Sequence, residues 1–306
     1  MFVINPDKYS TPTYRIGAFQ TSDIGKVKKC NKVNLGAKLF FEDRFLKSQI
    51  LYTEDGRTGI YLALLDLSLK LEDEVVILTS SGNNYISKCV TDTIEKVCKW
   101  SMKITKKTKA ILVNHEFGIP YNDLEDLKKY NLPIIEDCCT TFFTFFLNQK
   151  LGKVGKYVVF SFPKFSPIQI GGLLVSKELI KNAVYELNKD KYSYIMNVLS
   201  ENIHNTEINI KKQLSNYNYL CKIFAKIDLH PRFQNDKFTV PSVFMFKVPN
   251  PKINLDKLKR FVNRNGIQSS IFYGERCFFI PCHYRLSYID CDYFFEVVNY
   301  FLNAND

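Results

Sequence analysis

The sequence has no apolar run approaching the roughly 20 residues that a membrane-spanning helix needs. Its opening, MFVINPDKYS, lacks the basic and apolar regions of a secretory signal. Its nine cysteines form no C-x-x-C pair, and no cysteine–histidine set has the spacing of a zinc site. We therefore expect a soluble, cytoplasmic protein with reduced thiols, no metal and no membrane partner.

Familiar catalytic and nucleotide-binding motifs are also missing. The sequence contains no G-x-G-x-x-G at a strand–helix turn, no G-x-x-x-x-G-K-[ST], no G-x-S-x-G and no H-E-x-x-H. It has only four histidines, which makes a histidine-centred metal site a poor explanation of function. The absences argue against a dinucleotide-binding oxidoreductase, a P-loop nucleotidase and the common hydrolases.

Arginine is scarce in a chain of clearly basic composition. The 306 residues carry a formal net charge of +11, but arginine supplies only 8 of the 42 basic residues. Surfaces that read DNA favour arginine because its planar fork engages guanine and phosphate with two hydrogen bonds. The lysines are spread over the whole chain. We interpret most of them as solvated surface, prefer an anionic small molecule as partner, and expect no nucleic-acid partner.

Short apolar segments alternate with helical patterns through the middle of the chain. Continuous apolar strands separated by helices are typical of a mostly parallel sheet covered on both faces. We predict an α/β fold with an N-terminal segment at 1–50, a large domain at 51–230 and a small C-terminal α+β domain at 231–306. The predicted strands of the large domain are VVILT (75–79), AILVN (110–114), PIIED (133–137), YVVFSF (157–162) and GLLVS (172–176).

Three features stand at predicted ends of these elements. Arg57 and Thr58 begin a helix, where free backbone N–H groups attract a phosphate. Asp137 closes a buried strand, and Lys164 follows the next strand. A phosphate site, a carboxylate and a lysine at one sheet edge suit pyridoxal 5'-phosphate. The alternatives are a helix N-cap for Asp137, ordinary helix-start residues at 57–58 and an ordinary loop lysine.

Three ordered segments resemble the DegT/DnrJ/EryC1/StrS family of pyridoxal-phosphate sugar aminotransferases. EDGRTGIYLALLDLSLKLEDEVVI is similar to that family's SGR-x-AL-x-LAL followed by GDEVI. TKAILVNHEFG, with PIIEDCC after it, resembles TKAIIPVHLYG and VIEDAAQA. FSFPKFSPIQIGGLLVSKE resembles the lysine segment of a short branch that reads RKF-x-x-PDGG. The resemblance covers most of residues 50–180.

The resemblance implies a fold-type-I pyridoxal-phosphate transferase and assigns the site residues. Lys164 matches the lysine that binds the cofactor, and Asp137 matches the partner of its pyridine nitrogen. Arg57 and Thr58 match the phosphate-binding pair, and Ser161 matches a serine that bonds the phosphate. The resemblance also implies a homodimer in polysaccharide biosynthesis, which moves an amino group from an amino acid, such as glutamate, to a nucleotide-linked keto-sugar.

Several positions depart from the family pattern. Thr140 stands where the family has a cofactor-binding glutamine, and Ile170 replaces the acidic residue before the paired glycines. The loop Ser80–Asn84 lacks the aromatic residue that stacks on the cofactor, although Tyr85 follows it, and no intersubunit segment is recognisable after Lys177. These departures leave open a relative that binds the cofactor or a partner without transaminating. The dehydratase branch is disfavoured because it has histidine in place of the lysine.

Overall fold

The predicted apolar strands form the centre of a seven-stranded sheet in the computed structural model, which describes residues 12–26, 33–234 and 236–304. The strand order is β1-β7-β6-β5-β4-β2-β3. Neighbouring strands are parallel from β6 to β3, whereas β7 is antiparallel to both β6 and β1. The strands are β1 (Gln49–Thr53), β2 (Glu74–Thr79), β3 (Lys99–Ser101), β4 (Thr108–Asn114), β5 (Ile134–Asp137), β6 (Tyr157–Ser161) and β7 (Gly172–Ser176).

Helices cover both faces of this sheet because successive strand residues point to opposite sides. Val159 and Leu174 pack in one core with α2, whereas Phe160 and Leu173 pack in another core with α1 and α5. The helices are α1 (Gly36–Arg44), α2 (Gly56–Asp66), α3 (Lys88–Ile94), α4 (Phe142–Leu147), α5 (Lys189–Ile203), α6 (Thr206–Phe224), α7 (Leu255–Arg264) and α8 (Tyr288–Asn303).

A separate antiparallel sheet, in the order β8-β10-β9, lies in the C-terminal part. Its core includes Leu220 and Phe224 of α6, which precede the predicted domain boundary at 231. The division into 1–50, 51–230 and 231–306 stays a prediction. The strands of this sheet are β8 (Val243–Lys247), β9 (Ser270–Phe272) and β10 (Cys277–Pro281).

The α/β fold class is confirmed, with local differences from the sequence prediction. The apolar spacing of GIYLALLDLSLKL (59–71) predicts a helix to Leu71, but α2 ends at Asp66, whose carboxylate accepts hydrogen bonds from Tyr157 and from the backbone of residues 181–182. The charged sequence over 177–226 predicts largely helical structure, but the segment between β7 and α5 is not helical. Within the described residues, we find no helix with both the length and the apolar character to cross a bilayer.

Candidate active site

One edge of the large sheet collects the features singled out by sequence. Strands β4, β5 and β6 are parallel, so their carboxyl ends lie at the same edge. β1 runs in the same direction as β6 because both are antiparallel to β7. The start of α2, Asp137 at the end of β5, and Ser161 at the end of β6 therefore share this edge.

Gly56 brings the start of α2 into close contact with the neighbouring strand ends. A Cβ atom on Gly56 would lie 2.6 Å from Cys139 Sγ and 3.2 Å from Ser161 Cβ, so a side chain has no room there. Burial raises the pKa of the Cys139 thiol well above its usual range; Asp137 raises it further, whereas the nearby Lys164 lowers it. Cys139 thus lies between the helix start, Asp137 and Lys164.

Lys164 is the last residue of a 3-10 turn, Phe162–Lys164, directly after β6. Its side chain is exposed and lines a small cavity together with Thr140, Gln213 and His283. The segment Ile16–Phe19 (IGAF) touches the same turn, since a Cβ on Gly17 would lie 2.3 Å from the carbonyl oxygen of Pro163. The turn that carries Lys164 is therefore packed against the backbone at Gly17.

Asp137 and Thr140 both lie at this edge but make different contacts. Asp137 is buried, and its Oδ1 accepts a hydrogen bond from the Cys139 N–H at 3.0 Å. The Thr140 hydroxyl donates to His115 O at 3.0 Å and accepts from Phe117 N–H at 2.9 Å. Thr140 thereby ties the loop after β4 to the loop after β5. Its role in cofactor binding stays a prediction.

The paired glycines of the lysine segment touch the loop before α2. Gly171 has φ of +110°, and its N–H donates to Glu54 O at 2.6 Å. A Cβ on Gly172 would lie 2.6 Å from the carbonyl carbon of Asp55. Glycine is needed at both positions, at the first for its backbone angle and at the second for the close approach. The segment that carries Lys164 is thus joined directly to the start of α2.

Arg57 and Thr58 lie at the expected helix start, but a carboxylate already binds them. Asp55 Oδ1 accepts from Thr58 N–H at 2.8 Å and from the Thr58 hydroxyl at 2.9 Å. Asp55 Oδ2 accepts from Arg57 Nε at 3.0 Å and Nη2 at 2.6 Å. Asp55 is the N-cap of α2. Sequence reasoning missed this residue, although an aspartate just before a helix is a recognisable capping signal.

A second buried acid, Glu116, lies near Asp137. Its Oε2 accepts from the Ser81 N–H at 3.0 Å, which fastens the loop after β2 to the loop after β4. Burial raises the pKa of Glu116; hydrogen bonds from Ser81 oppose the rise, and the charges of Asp137 and Glu275 add to it. The sequence offered only a weak signal for this position, an acid two residues after an apolar strand.

The loop Ser80–Asn84 contacts the C-terminal part of the chain. Asn83 Nδ2 donates to Tyr273 O at 2.9 Å, and the Tyr85 ring packs on the Tyr273 ring with centroids 5.1 Å apart. Tyr85 is the candidate that the sequence offers to replace the missing stacking residue. Its ring contact with Tyr273 gives it a packing role in this structure.

His115, Glu136 and Cys138 form a buried cluster beside the site. Their potential ligand atoms lie within 4.8 Å of one another. The Glu136 oxygens, however, accept N–H groups from Gly152 at 2.7 Å, Val154 at 2.9 Å and Gly155 at 2.6 Å. His115 Nε2 lies 3.5 Å from Glu136 Oε2. With its oxygens engaged in this way, Glu136 serves to hold the loop before β6.

The chemical groups at this edge fit those of pyridoxal phosphate. Lys164 offers an amine for the aldehyde, Asp137 a buried carboxylate for the pyridine nitrogen, and Ser161 with the start of α2 offers donors for a phosphate. Asp55 opposes phosphate binding, because it places a negative charge on the predicted phosphate donors.

Comparison with known proteins gives a consistent result. The model of the DegT/DnrJ/EryC1/StrS aminotransferase family matches residues 91–186. The chain is 30% identical over 168 residues to GDP-perosamine synthase of Escherichia coli O157:H7, covering 45% of this chain and 44% of that protein. It is 41% identical over 125 residues to dTDP-3-amino-3,6-dideoxy-alpha-D-galactopyranose transaminase of Aneurinibacillus thermoaerophilus, covering 35% and 34%. The chain thus spans less than half the length of these relatives.

Solved structures match over nearly the whole chain. Aminotransferase TlmJ from Streptoalloteichus hindustanus has a TM-score of 0.71 at 15% identity, covering 96% of this chain and 99% of that chain. The PLP form of Spr1654 from Streptococcus pneumoniae has a TM-score of 0.71 at 14% identity, covering 97% and 99%. At these identities the likeness concerns the fold. Within residues 91–186 the chain matches the model of the DegT/DnrJ/EryC1/StrS aminotransferase family, and over nearly its whole length it shares the fold of these solved structures.

Proposed function

We propose that this protein is a pyridoxal-phosphate-dependent aminotransferase that moves an amino group from an amino acid to a keto-sugar carried on a nucleotide. The observation that carries the proposal is that Asp137, the start of α2 and the turn with Lys164 lie at one edge of the sheet, with Cys139 in contact with both Asp137 and Gly56. Two relatives whose names include GDP- and dTDP-linked sugars support the substrate class. Glutamate is the proposed donor, and a homodimer is the proposed assembly.

Each site residue has a role that its position allows. The cofactor, when bound, withdraws electrons from the amino-bearing carbon. Lys164 would hold the cofactor and then carry a proton at its Nζ, for which its exposed position at the cavity gives it room. Asp137, buried at the end of β5, would keep the pyridine nitrogen protonated. Ser161 would donate to the phosphate.

The test is a visible absorbance spectrum of the purified protein with added cofactor. We expect a band from lysine-bound cofactor in the wild type, and conversion of that band by glutamate. Lys164→Ala should remove the band and lower turnover by about 10²–10⁴-fold, the contribution of a positioned acid–base group. A matched control is Lys177→Ala, whose Nζ bonds backbone carbonyls of residues 153–154. An unchanged spectrum in Lys164→Ala would refute the assignment.

A second candidate is a relative that binds the cofactor or a partner without transaminating. The Asp55 carboxylate on the predicted phosphate donors favours this candidate, as do Thr140 and Ile170. Conversion of the bound cofactor by glutamate would exclude it. Retention of the band without any conversion by amino acids would support it.

A further inference from the structure

Asp55 closes the start of α2 with its own side chain. Its two carboxylate oxygens accept four hydrogen bonds, two from Thr58 and two from Arg57, at 2.6–3.0 Å. Burial alone would raise the pKa of Asp55, but the hydrogen bonds from Thr58 and Arg57 outweigh burial and lower it. Asp55 is therefore an anion at neutral pH, placed where the helix dipole favours negative charge.

One of these four donors, the Thr58 N–H, is a backbone group that the sequence assigned to the cofactor phosphate. An N–H group engaged with one acceptor is not free for a second, and a phosphate brought to the same place would meet a carboxylate of like charge. The related motif SGR-x-AL has serine at the position of Asp55, where the chain reads DGRTGI. Serine caps a helix without adding charge.

The Asp55 backbone is held in place, whereas its side chain has room to rotate toward solvent. Thr53 Oγ1 donates to Asp55 O at 2.8 Å, and the Gly172 backbone lies against the Asp55 carbonyl group. The Asp55 side chain is 32% exposed, and the Arg57 side chain that pairs with it is 62% exposed. Rotation of the carboxylate into solvent would free the Thr58 donors without moving the backbone.

We propose that Asp55 is an internal competitor of phosphate at the start of α2, so that phosphate binds there only when the Asp55 side chain turns away. Asp55 thereby sets the affinity of this site for phosphorylated ligands. The identity of the ligand as pyridoxal phosphate rests on the proposed function, whereas the competition with phosphate rests on the contacts of Asp55.

The first test measures binding of pyridoxal phosphate and of pyridoxal, which lacks the phosphate, by equilibrium dialysis. Asp55→Ser and Asp55→Asn should bind pyridoxal phosphate about tenfold more tightly than the wild type, the factor that corresponds to about 1.4 kcal/mol. Their affinity for pyridoxal should be unchanged. Asp55→Asn keeps the shape and an acceptor for Thr58, so it separates charge from size. Equal or weaker binding of pyridoxal phosphate by both variants would overturn the proposal.

The second test uses inorganic phosphate and does not depend on the cofactor. Thermal unfolding is compared in phosphate and in chloride of the same ionic strength. Phosphate should raise the midpoint of Asp55→Ser more than that of the wild type, and an equal response would overturn the proposal. If no form of the protein bound pyridoxal phosphate or pyridoxal, the proposed function would fail while this test still decided the role of Asp55.

A matched control comes from the start of α8. Asp290 accepts from the Ser287 N–H at 2.7 Å in a capping box, so it is also an acid at a helix start. Asp290→Asn should lower stability without changing the response to phosphate or the affinity for pyridoxal phosphate. A phosphate response equal to that of Asp55→Ser would mean that general charge, and not this position, controls binding.

Discussion

Glu136 and Asp137 are adjacent acids on β5 with opposite surroundings. Glu136 is fully buried, and its carboxylate accepts three backbone N–H groups from the loop before β6 and lies beside His115. Asp137 points to the other face of the sheet. Among the described residues, only Cys139 forms hydrogen bonds with its carboxylate. Glu136 thus forms hydrogen bonds within the protein interior, whereas Asp137 faces the candidate site.

The difference shows how to tell a structural acid from a functional one. Burial acts to raise the pKa of Glu136, but His115, followed by the N–H groups of Gly155 and Gly152, outweighs burial and lowers the pKa below its usual range. A carboxylate whose oxygens are already engaged has little left to offer a ligand. Asp137 keeps acceptor capacity at the edge where Lys164 stands, and this makes it the candidate of the pair.

The largest expected effect comes from Asp137→Asn. This change keeps the size of the side chain but removes the charge proposed to face the pyridine nitrogen. We expect turnover to fall by about 10³-fold, in the range found when one preorganised electrostatic partner is removed. The measurement is kcat with glutamate as donor, with the urea-unfolding midpoint as the check on folding. Activity close to that of the wild type would contradict the proposal that Asp137 is the functional acid of the pair.

Glu136→Gln should act on stability and leave chemistry largely intact. Its amide N–H₂ would face a backbone donor, and removal of one partner from a buried charged cluster costs about 3 kcal/mol. Because the pKa of Glu136 is lowered in the fold, its stabilising contribution is present above its ordinary value of 4.5 and is lost as the pH falls below that value. Urea unfolding should therefore show a gap between variant and wild type at pH 7 that narrows at pH 4. A constant gap would contradict this.

A further expected effect, on the pH dependence of stability, concerns His283, which lines the cavity at Lys164. Burial, followed by the charge of Arg285, lowers its pKa from 6.5 to about 4. The unfolded chain binds a proton at this residue between these values while the folded chain does not, so stability should fall by up to about 1.4 kcal/mol per pH unit on acidification from pH 6.5 to 4. His283→Gln should flatten this slope. The solvent-exposed His230 provides the control, since His230→Gln should keep the slope.

The sequence predicted the strands of the sheet better than the side-chain contacts. Strands β2, β4, β5, β6 and β7 contain the short apolar segments that were predicted as strands, whereas β1 and the three-residue β3 were not predicted. Asp137 and Lys164 stand at the predicted strand ends because a parallel sheet places those ends together. The Asp55 contacts were not foreseen, since they depend on side-chain geometry. The partners of Glu116 and Glu136 lie 16–35 residues away along the chain.

The junction of residues 54–55 with Gly171 and Gly172 has a consequence for the order of folding. The Gly171–Glu54 hydrogen bond joins backbone groups that are 117 residues apart in the chain. Closing so long a loop costs conformational entropy, whereas the local contacts within α2 form without that cost. We therefore expect α2 to gain helical structure before its first turn docks on β7. The candidate site would then be among the last parts of the sheet edge to assemble.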